Sequence, residues 1–253
     1  MSSLTGKVIL ITGGRRVGSE LAGMLADRGA SVAMTYHTSR ETIEATVSAL
    51  KSRGANGLAV GADLSRAVEA ERAIREVVAR FGRLDVLVNM ASVYRRTPFE
   101  SVTPDDFDAM IAANLAAPYH TSVFAAKQML TQDEDDGIKG RIVSVGDWST
   151  DRPYKQYLPY LVAKGGLTTM TLALAKELAP QILVNLVQPA MIDPPPDLSQ
   201  ADRDAVVALT PLKRVGTPGD LNRLILYLLE GTNFATGASY RVDGGRFLGV
   251  DPC

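Results

Sequence analysis

Strand-length apolar runs alternate with stretches of helical period along the whole chain, and this alternation constrains the fold more than any other feature. Lys7–Thr12 predicts a first strand. Val17–Arg28 predicts a helix with Val17, Leu21, Met24 and Leu25 on one face, ended by Gly29. The scheme then repeats. Strands are predicted at Ser31–Tyr36, Asn56–Val60 and Leu84–Asn89, separated by helices built on Ile43, Val47 and Leu50 and on Ile74, Val77, Val78 and Phe81. After a loop come a helix opening at Thr103–Pro104, a strand at Arg141–Gly146, a long helix through Leu178, a strand at Ile182–Val187, a helix at Leu221–Leu229 and a strand at Ser239–Val242. Near-continuous apolar runs such as Val8–Ile11 and Val86–Val88 suit a parallel sheet buried on both faces. Right-handed crossovers turn that pattern into one doubly wound α/β sheet of about seven strands, with ligands at the strands' carboxyl ends.

Composition narrows the function. The 253 residues are 46% apolar and 22% charged with a net charge of −1, which excludes a disordered tail and gives no broad electrostatic reason to bind nucleic acid or an anionic membrane. A chain of this length buries about 70–75% of its unfolded surface, so it folds as one domain, residues 1–253, without disulfides or a structural metal. Two His and the single Cys253 form no cluster at metal-ligand spacing, and the lone thiol suits a reducing compartment. Met1–Gly6 lacks the charged and apolar regions of a secretory leader, and no apolar run is long enough to span a bilayer, so a cytoplasmic location is expected.

Directly after the first strand the chain reads Thr12-Gly13-Gly14-Arg15-Arg16-Val17-Gly18 and enters a helix. Glycines there let the backbone approach a pyrophosphate, with the helix N–H groups and dipole as the anion site. A tight strand-to-helix turn is the bland alternative, but Arg15 and Arg16 are wasteful in a purely structural turn and useful beside phosphate. The second strand ends in Tyr36-His37-Thr38-Ser39-Arg40, where a fold selecting NAD usually places an acid against the ribose hydroxyl. His37, Ser39 and Arg40 would instead bond a 2′-phosphate, so NADP(H) is expected. Thr38 with Glu41 also reads as a capping box, which leaves Arg40 free.

On the long helix, Tyr160 and Lys164 stand four residues apart and share a face, where an ammonium would stabilise phenolate and lower the tyrosine pKa. Tyr-x-x-x-Lys alone is common by chance. Behind a Gly-rich first turn, and together with Asp63-Leu64, Asn89-Met90-Ala91-Ser92, Asn114 and Val242-Asp243-Gly244-Gly245, it resembles the short-chain dehydrogenase/reductase family along essentially the whole chain, and hence a Rossmann-like fold. The resemblance implies Tyr160 as proton donor or acceptor, Lys164 on the nicotinamide ribose, Asn114 in a proton relay and Asp63 with Leu64 around adenine. It also implies cofactor contacts from Gly13, Arg15, Arg16, Val17, Gly18, Asn89, Ala91, Pro189 and Ile192. Asn114 falls on the apolar stripe of Phe107, Met110 and Ile111, so it must be hydrogen-bonded inside. Pro118, four residues on, lacks the N–H for its carbonyl, and a kink with that carbonyl free for a water is expected.

The chain also departs from the family. Most members carry a Ser thirteen residues before the Tyr, and here that position is Asp147. A hydroxyl can donate to a ketone oxygen; an ionised carboxylate cannot. A substrate rich in N–H groups suits it better. The chain resembles the pteridine-reductase branch, including dihydromonapterin reductases, with Asp147, with Arg16 in the first loop, and with Ser92 and Tyr94 after the fourth strand. By that resemblance a pterin lies between the nicotinamide and Tyr94, bonded by Arg16, Ser92, Asp147 and Tyr160. The bland readings are a loop anchor for Tyr94, a phosphate binder for Arg16 and a helix cap for Asp147. The glycine loop is one residue short, Met90 replaces an Asn, and Pro189-Ala190 replaces Pro-Gly. Residues 191–210, with Pro194–Pro196, are expected to fold over the substrate.

The expected activity is NADPH-dependent reduction of a pteridine C=N bond, from dihydropterin to tetrahydropterin, on a small pterin-like molecule. The nearest alternative is carbonyl reduction of a 3-oxoacyl, sugar or steroid-like ketone. An alternative of another class is a non-catalytic NADP(H) sensor, against which the set of Asn114, Tyr160 and Lys164 argues. Family resemblance also implies a homotetramer, through helices Thr103–Leu130 and Gln156–Leu178.

Overall fold

A computed structural model describes residues 3–194 and 198–249. Pro195, Pro196 and Cys253 lie outside the described residues. Seven strands, β1 (Val8–Thr12), β2 (Ser31–Tyr36), β3 (Gly57–Gly61), β4 (Val86–Asn89), β5 (Gly140–Val145), β6 (Ile182–Pro189) and β7 (Ser239–Val242), pair in the order β3-β2-β1-β4-β5-β6-β7. Every pairing is parallel, with register such as Thr12 opposite Asn89 and Asn89 opposite Ser144. Chain direction across the sheet reverses between β1 and β4, and the crevice at their carboxyl ends is where ligands of such sheets bind.

Side-chain alternation along β1 explains the layers. Ile9 and Ile11 face one side, packed with Leu21 and Leu25 of α1 (Val17–Ala26), Ile43 of α2 (Arg40–Ser52) and Ile225 of α8 (Pro218–Leu226). Val8 and Leu10 face the other, with Ile74 and Val77 of α3 (Ala67–Phe81), Met129 of α5 (Ala117–Leu130) and Ala175 of α6 (Leu158–Leu178). Helices α4 (Pro104–Ile111) and α7 (Gln200–Ala208) complete the described set. At the sheet's amino-terminal rim, buried Asp85 accepts from the Val8 N–H at 2.8 Å and from Arg83 Nη2 at 2.6 Å, so that rim is tied by its own charges.

Two local expectations are corrected. The proposed capping box at Thr38 does not form: α2 starts at Arg40 with Ser39 as its cap, and no side chain there caps the first turn. A true box forms one motif later, where Thr103 and Asp106 satisfy each other's backbone N–H at the head of α4. Nor is Thr103–Leu130 one α-helix. A π-helical segment, Ala112–Ala116, separates α4 from α5, and Pro118 falls in the first turn of α5, where a missing N–H is tolerated.

Candidate active site

The turn after β1 is shaped by close packing. Gly13 and Gly14 have φ of +60° and +79°, and a Cβ on Gly14 would lie 2.8 Å from Met90 Sδ and 3.0 Å from Gly18 Cα. Met90, standing for the family's Asn, thus plugs the elbow with its thioether. Thr12 Oγ1 accepts from the Met90 and Ala91 N–H groups at 3.1 and 3.2 Å, which binds the ends of β1 and β4 together. The first turn of α1 carries no side-chain cap, and with the Ser19 N–H taken by the Gly14 carbonyl at 3.0 Å the Val17 and Gly18 N–H groups are the ones left for an anion. A bare elbow, an uncapped helix start and two arginines fit a dinucleotide's phosphates.

A cavity of about 590 Å³ opens beside this turn. It brings together Arg15, Arg16 and Val17 of the turn, Ser92 and Tyr94 after β4, and Asp147, Tyr160 and Lys164. Pro189 and Ile192 after β6 line it too. Gly13, Gly18, Ala91, Asn89 and Asn114 stand outside its lining, and His37, Ser39, Arg40, Asp63 and Leu64 follow β2 and β3 beyond it.

Asp147 is anchored and aimed at once. Its Oδ1 accepts from the Ser149 N–H at 2.9 Å and from the Ser149 hydroxyl, capping the short helical turn Trp148–Thr150. Its Oδ2 accepts from the Tyr160 hydroxyl at 2.7 Å. The bland capping reading therefore describes only one oxygen of this carboxylate. Lys164 is almost fully buried, donates to the Val145 carbonyl at 2.8 Å and sits 5.8 Å from the Tyr160 ring centre. Burial pushes its ammonium down to about 8, against the opposing pull of Asp147. The expectation that Lys164 lowers the Tyr160 pKa is corrected. Burial first, and the Asp147 carboxylate second, hold that phenol well above its ordinary value, so Tyr160 keeps its proton.

Asn114 is buried and fully bonded, as its place on the apolar stripe requires. Its Oδ1 accepts from the Ser92 hydroxyl at 2.7 Å and the Val93 N–H at 3.1 Å, while Nδ2 donates to the Val93 and Met110 carbonyls at 2.9 and 3.2 Å. Its side chain fixes the loop carrying Ser92 and Tyr94. Asn89 is likewise committed to the core, donating to Ser122 at 2.9 Å and accepting from Thr121 at 2.7 Å. At the far end Asp63 is held below the ordinary carboxylate range, chiefly by the Ser65 hydroxyl at 2.6 Å, and Arg40 is paired with Glu44 at 2.9 Å. Arg16 is paired with Asp193 at 3.2 Å, so it links the glycine turn to the segment after β6.

Sequence reasoning missed an aromatic wall. Tyr94 stacks on Tyr157 at 4.5 Å and meets Tyr160 edge-on at 5.0 Å, so one of its faces is already covered. Tyr154 contacts Tyr157 at 5.1 Å and Trp148 at 6.3 Å, and donates to the Tyr94 hydroxyl at 3.2 Å. Burial, with Asp147 nearby, pushes Tyr154 up to about 12. Three tyrosines within the seven residues Tyr154–Tyr160, in a chain with only 6% aromatics, were the signal. Asp193 and Arg246, which also line the cavity, left none.

Comparison with known proteins agrees with this geometry. Residues 13–246 match the family model described as enoyl-(acyl carrier protein) reductase. The chain is 31% identical to the 3-oxoacyl-[acyl-carrier-protein] reductase FabG of Staphylococcus aureus, over 96% of this chain and 98% of that one. Among solved structures, a short-chain dehydrogenase/reductase from Serratia marcescens superposes with a TM-score of 0.88 at 34% identity, covering 97% of this chain and 100% of the other. A short-chain dehydrogenase from Burkholderia cenocepacia in complex with NADP does so with a TM-score of 0.88 at 33% identity, covering 97% and 99%. The protein belongs to the short-chain dehydrogenase/reductase family and is an oxidoreductase of that family.

Proposed function

We propose that the protein is an NADP(H)-dependent reductase that adds a hydride and a proton across the C=N bond of a dihydropteridine, giving the tetrahydropterin. The observation that carries this reading is the Tyr160 hydroxyl donating to Asp147 Oδ2 at 2.7 Å. An acid in place of the family's serine is a poor partner for a ketone oxygen, since it adds an acceptor where a donor is wanted. Beside a pterin the same carboxylate accepts amino and ring N–H groups.

Bound NADPH would supply the hydride to the reacting carbon. Gly13, Gly18 and Val17, with Arg15 and Arg16, hold its phosphates, while Asn89, Ala91, Pro189 and Ile192 flank its course along the strand ends. Asp63 and Leu64 would border the adenine, and His37, Ser39 and Arg40, whose Nη groups are not bonded to Glu44, would meet the 2′-phosphate. The proton is Tyr160's task. Its high pKa keeps it a donor; it hands its proton to the ring nitrogen, and a proton taken up from solvent and passed across the Asp147 carboxylate restores the phenol. Lys164 places a positive charge against the phenol as that proton leaves. Asn114 positions Ser92 and Tyr94, and Ser92, Tyr94 and Arg16 border the substrate. The described residues 191–194 and 198–210 cover it, with Met191, Asp193 and Val206 on the cavity wall.

A second reading, reduction of a 3-oxoacyl, sugar or steroid-like ketone, is favoured by the FabG relative. One assay separates them. NADPH consumption is followed with dihydropterins and, separately, with a 3-oxoacyl thioester and simple ketones. Turnover confined to dihydropterins is expected; rapid ketone reduction with none on any dihydropterin overturns the proposal. Comparable binding of NADP⁺ and NADPH without turnover on the whole panel marks a sensor.

Assembly as a homotetramer is part of the proposal, supported by exposed apolar residues on the helices concerned, Phe107, Tyr119, Val162 and Leu172. Light scattering at four times the chain mass is the expected result. Among the described residues no helix is long and apolar enough to cross a membrane and no side-chain cluster could hold a metal. A cytoplasmic location fits the lone cysteine of the sequence.

A further inference from the structure

Arg246 lines the cavity half-buried, and among the described residues no carboxylate pairs with it. Its guanidinium lies 5.8 Å from the Trp148 ring centre and reaches the Val206 carbonyl only at 3.4 Å. Burial lowers its pKa, and the charged group that weighs on it is another cation, Arg152. The other cations of the cavity are placed differently. Arg15 is exposed to solvent on the glycine turn, Arg16 has Asp193 as a partner, and Lys164 is buried and donates to the Val145 carbonyl. A desolvated cation without a counter-charge is costly in an otherwise apolar wall, and an incoming anion removes that cost.

Arg246 also stands at the end of a continuous aromatic path. Rings touch from Tyr160 to Tyr94 at 5.0 Å, Tyr94 to Tyr157 at 4.5 Å, Tyr157 to Tyr154 at 5.1 Å and Tyr154 to Trp148 at 6.3 Å, and Arg246 lies beyond Trp148. The reactive phenol and Arg246 thus border the same cavity, joined by an unbroken series of stacked, edge-on and tilted aromatic rings. We propose that Arg246 is an anion subsite, and that the substrate is a planar ring compound whose arm runs along this wall to a terminal carboxylate or phosphate. The inference rests on reading the cavity as the substrate site, whether the reacting bond is C=N or C=O.

The chain's single tryptophan, Trp148, is a built-in reporter beside Arg246. Its fluorescence is titrated in the NADP⁺-saturated protein with phenoxyacetate, phenyl phosphate and the neutral phenoxyethanol. The anions are expected to bind at least about tenfold more tightly than the alcohol, and the tighter of the two identifies carboxylate or phosphate as the natural group. Arg246→Met, which keeps a long apolar contact on Trp148, should bring that ratio to about one, and Arg246→Lys should retain part of it. Arg246→Gln replaces the methionine variant if the latter does not fold. Equal binding of alcohol and anions to the wild type, or an anion preference that survives the loss of Arg246, overturns the proposal. No turnover is read, so failure of dihydropterins as substrates leaves this outcome distinct.

Discussion

The Tyr160 hydroxyl donates to Asp147 Oδ2 across 2.7 Å, while Ser149 N–H fixes the far oxygen of the carboxylate at 2.9 Å. The acid cannot swing away without giving up its cap on the turn Trp148–Thr150. Asp147→Ala should lower dihydropterin turnover at least ~100-fold in steady-state NADPH consumption, the usual scale for a lost proton-transfer partner. Asp147→Ser should gain ketone reductase activity in the same assay. Unchanged pterin turnover in the alanine variant would remove the carboxylate from the chemistry.

Lys164 gives opposite pH trends for activity and stability. Its ammonium is pushed down to about 8 from an ordinary 10.5, so turnover that needs this charge should decline as pH rises through about 8. The unfolded chain still binds the proton between about 8 and 10.5 while the folded one does not, so this group's contribution to stability rises over that window. Below about 8 both states hold the charge and the full burial penalty applies. Lys164→Met should lose most activity, show a flat stability profile over that window and be no less stable near neutrality. Rate profiles and urea unfolding at several pH values test both halves.

Arg40 bonds Glu44 through Nε alone at 2.9 Å, so its Nη groups remain for a 2′-phosphate, while the Glu44 carboxylate beside them opposes a second anion. Removing the competitor with Glu44→Gln should tighten NADP⁺ binding while leaving NAD⁺ unaffected. Arg40→Ala should weaken NADP⁺ on the order of tenfold, as expected for one charge-assisted contact. Calorimetric titration with both dinucleotides reads the difference.

Asn114→Ala strips four hydrogen bonds from a buried position and leaves the Val93 N–H and carbonyl without their partners. A loss of about 1–3 kcal/mol in unfolding free energy is expected, together with a raised KM as the Ser92–Tyr94 loop loosens. A change in stability without any change in KM would show that the loop is held by other means.

The central strands were readable from apolar runs, because a sheet buried on both faces leaves an uninterrupted apolar trace, and β2 and the edge strand β7, Ser239–Val242, fall on the predicted residues. Side-chain commitments left no such trace. Spacing alone put Tyr160 and Lys164 on one face, yet the sign of the tyrosine's shift is set first by its burial and second by Asp147, thirteen residues earlier and brought in by the turn after β5. Thr38 and Glu41 have the letters of a capping box, but the helix begins one residue too late to use them. A kink at Pro118 was expected, whereas the irregularity lies one turn earlier, in the π-helical segment Ala112–Ala116 that contains Asn114. Arg246 belongs to no periodic pattern, and only the turn through Gly244 and Gly245 delivers it to the cavity.

Because all strands run the same way, every reactive side chain discussed sits beyond one rim of the sheet, while the opposite rim is fastened by Asp85, Arg83 and the Val8 amide. Connections at that distant rim have nothing to do with hydride or proton. They are the places to lengthen, tether or splice this molecule, since a change there alters what it is attached to and leaves its reactivity alone.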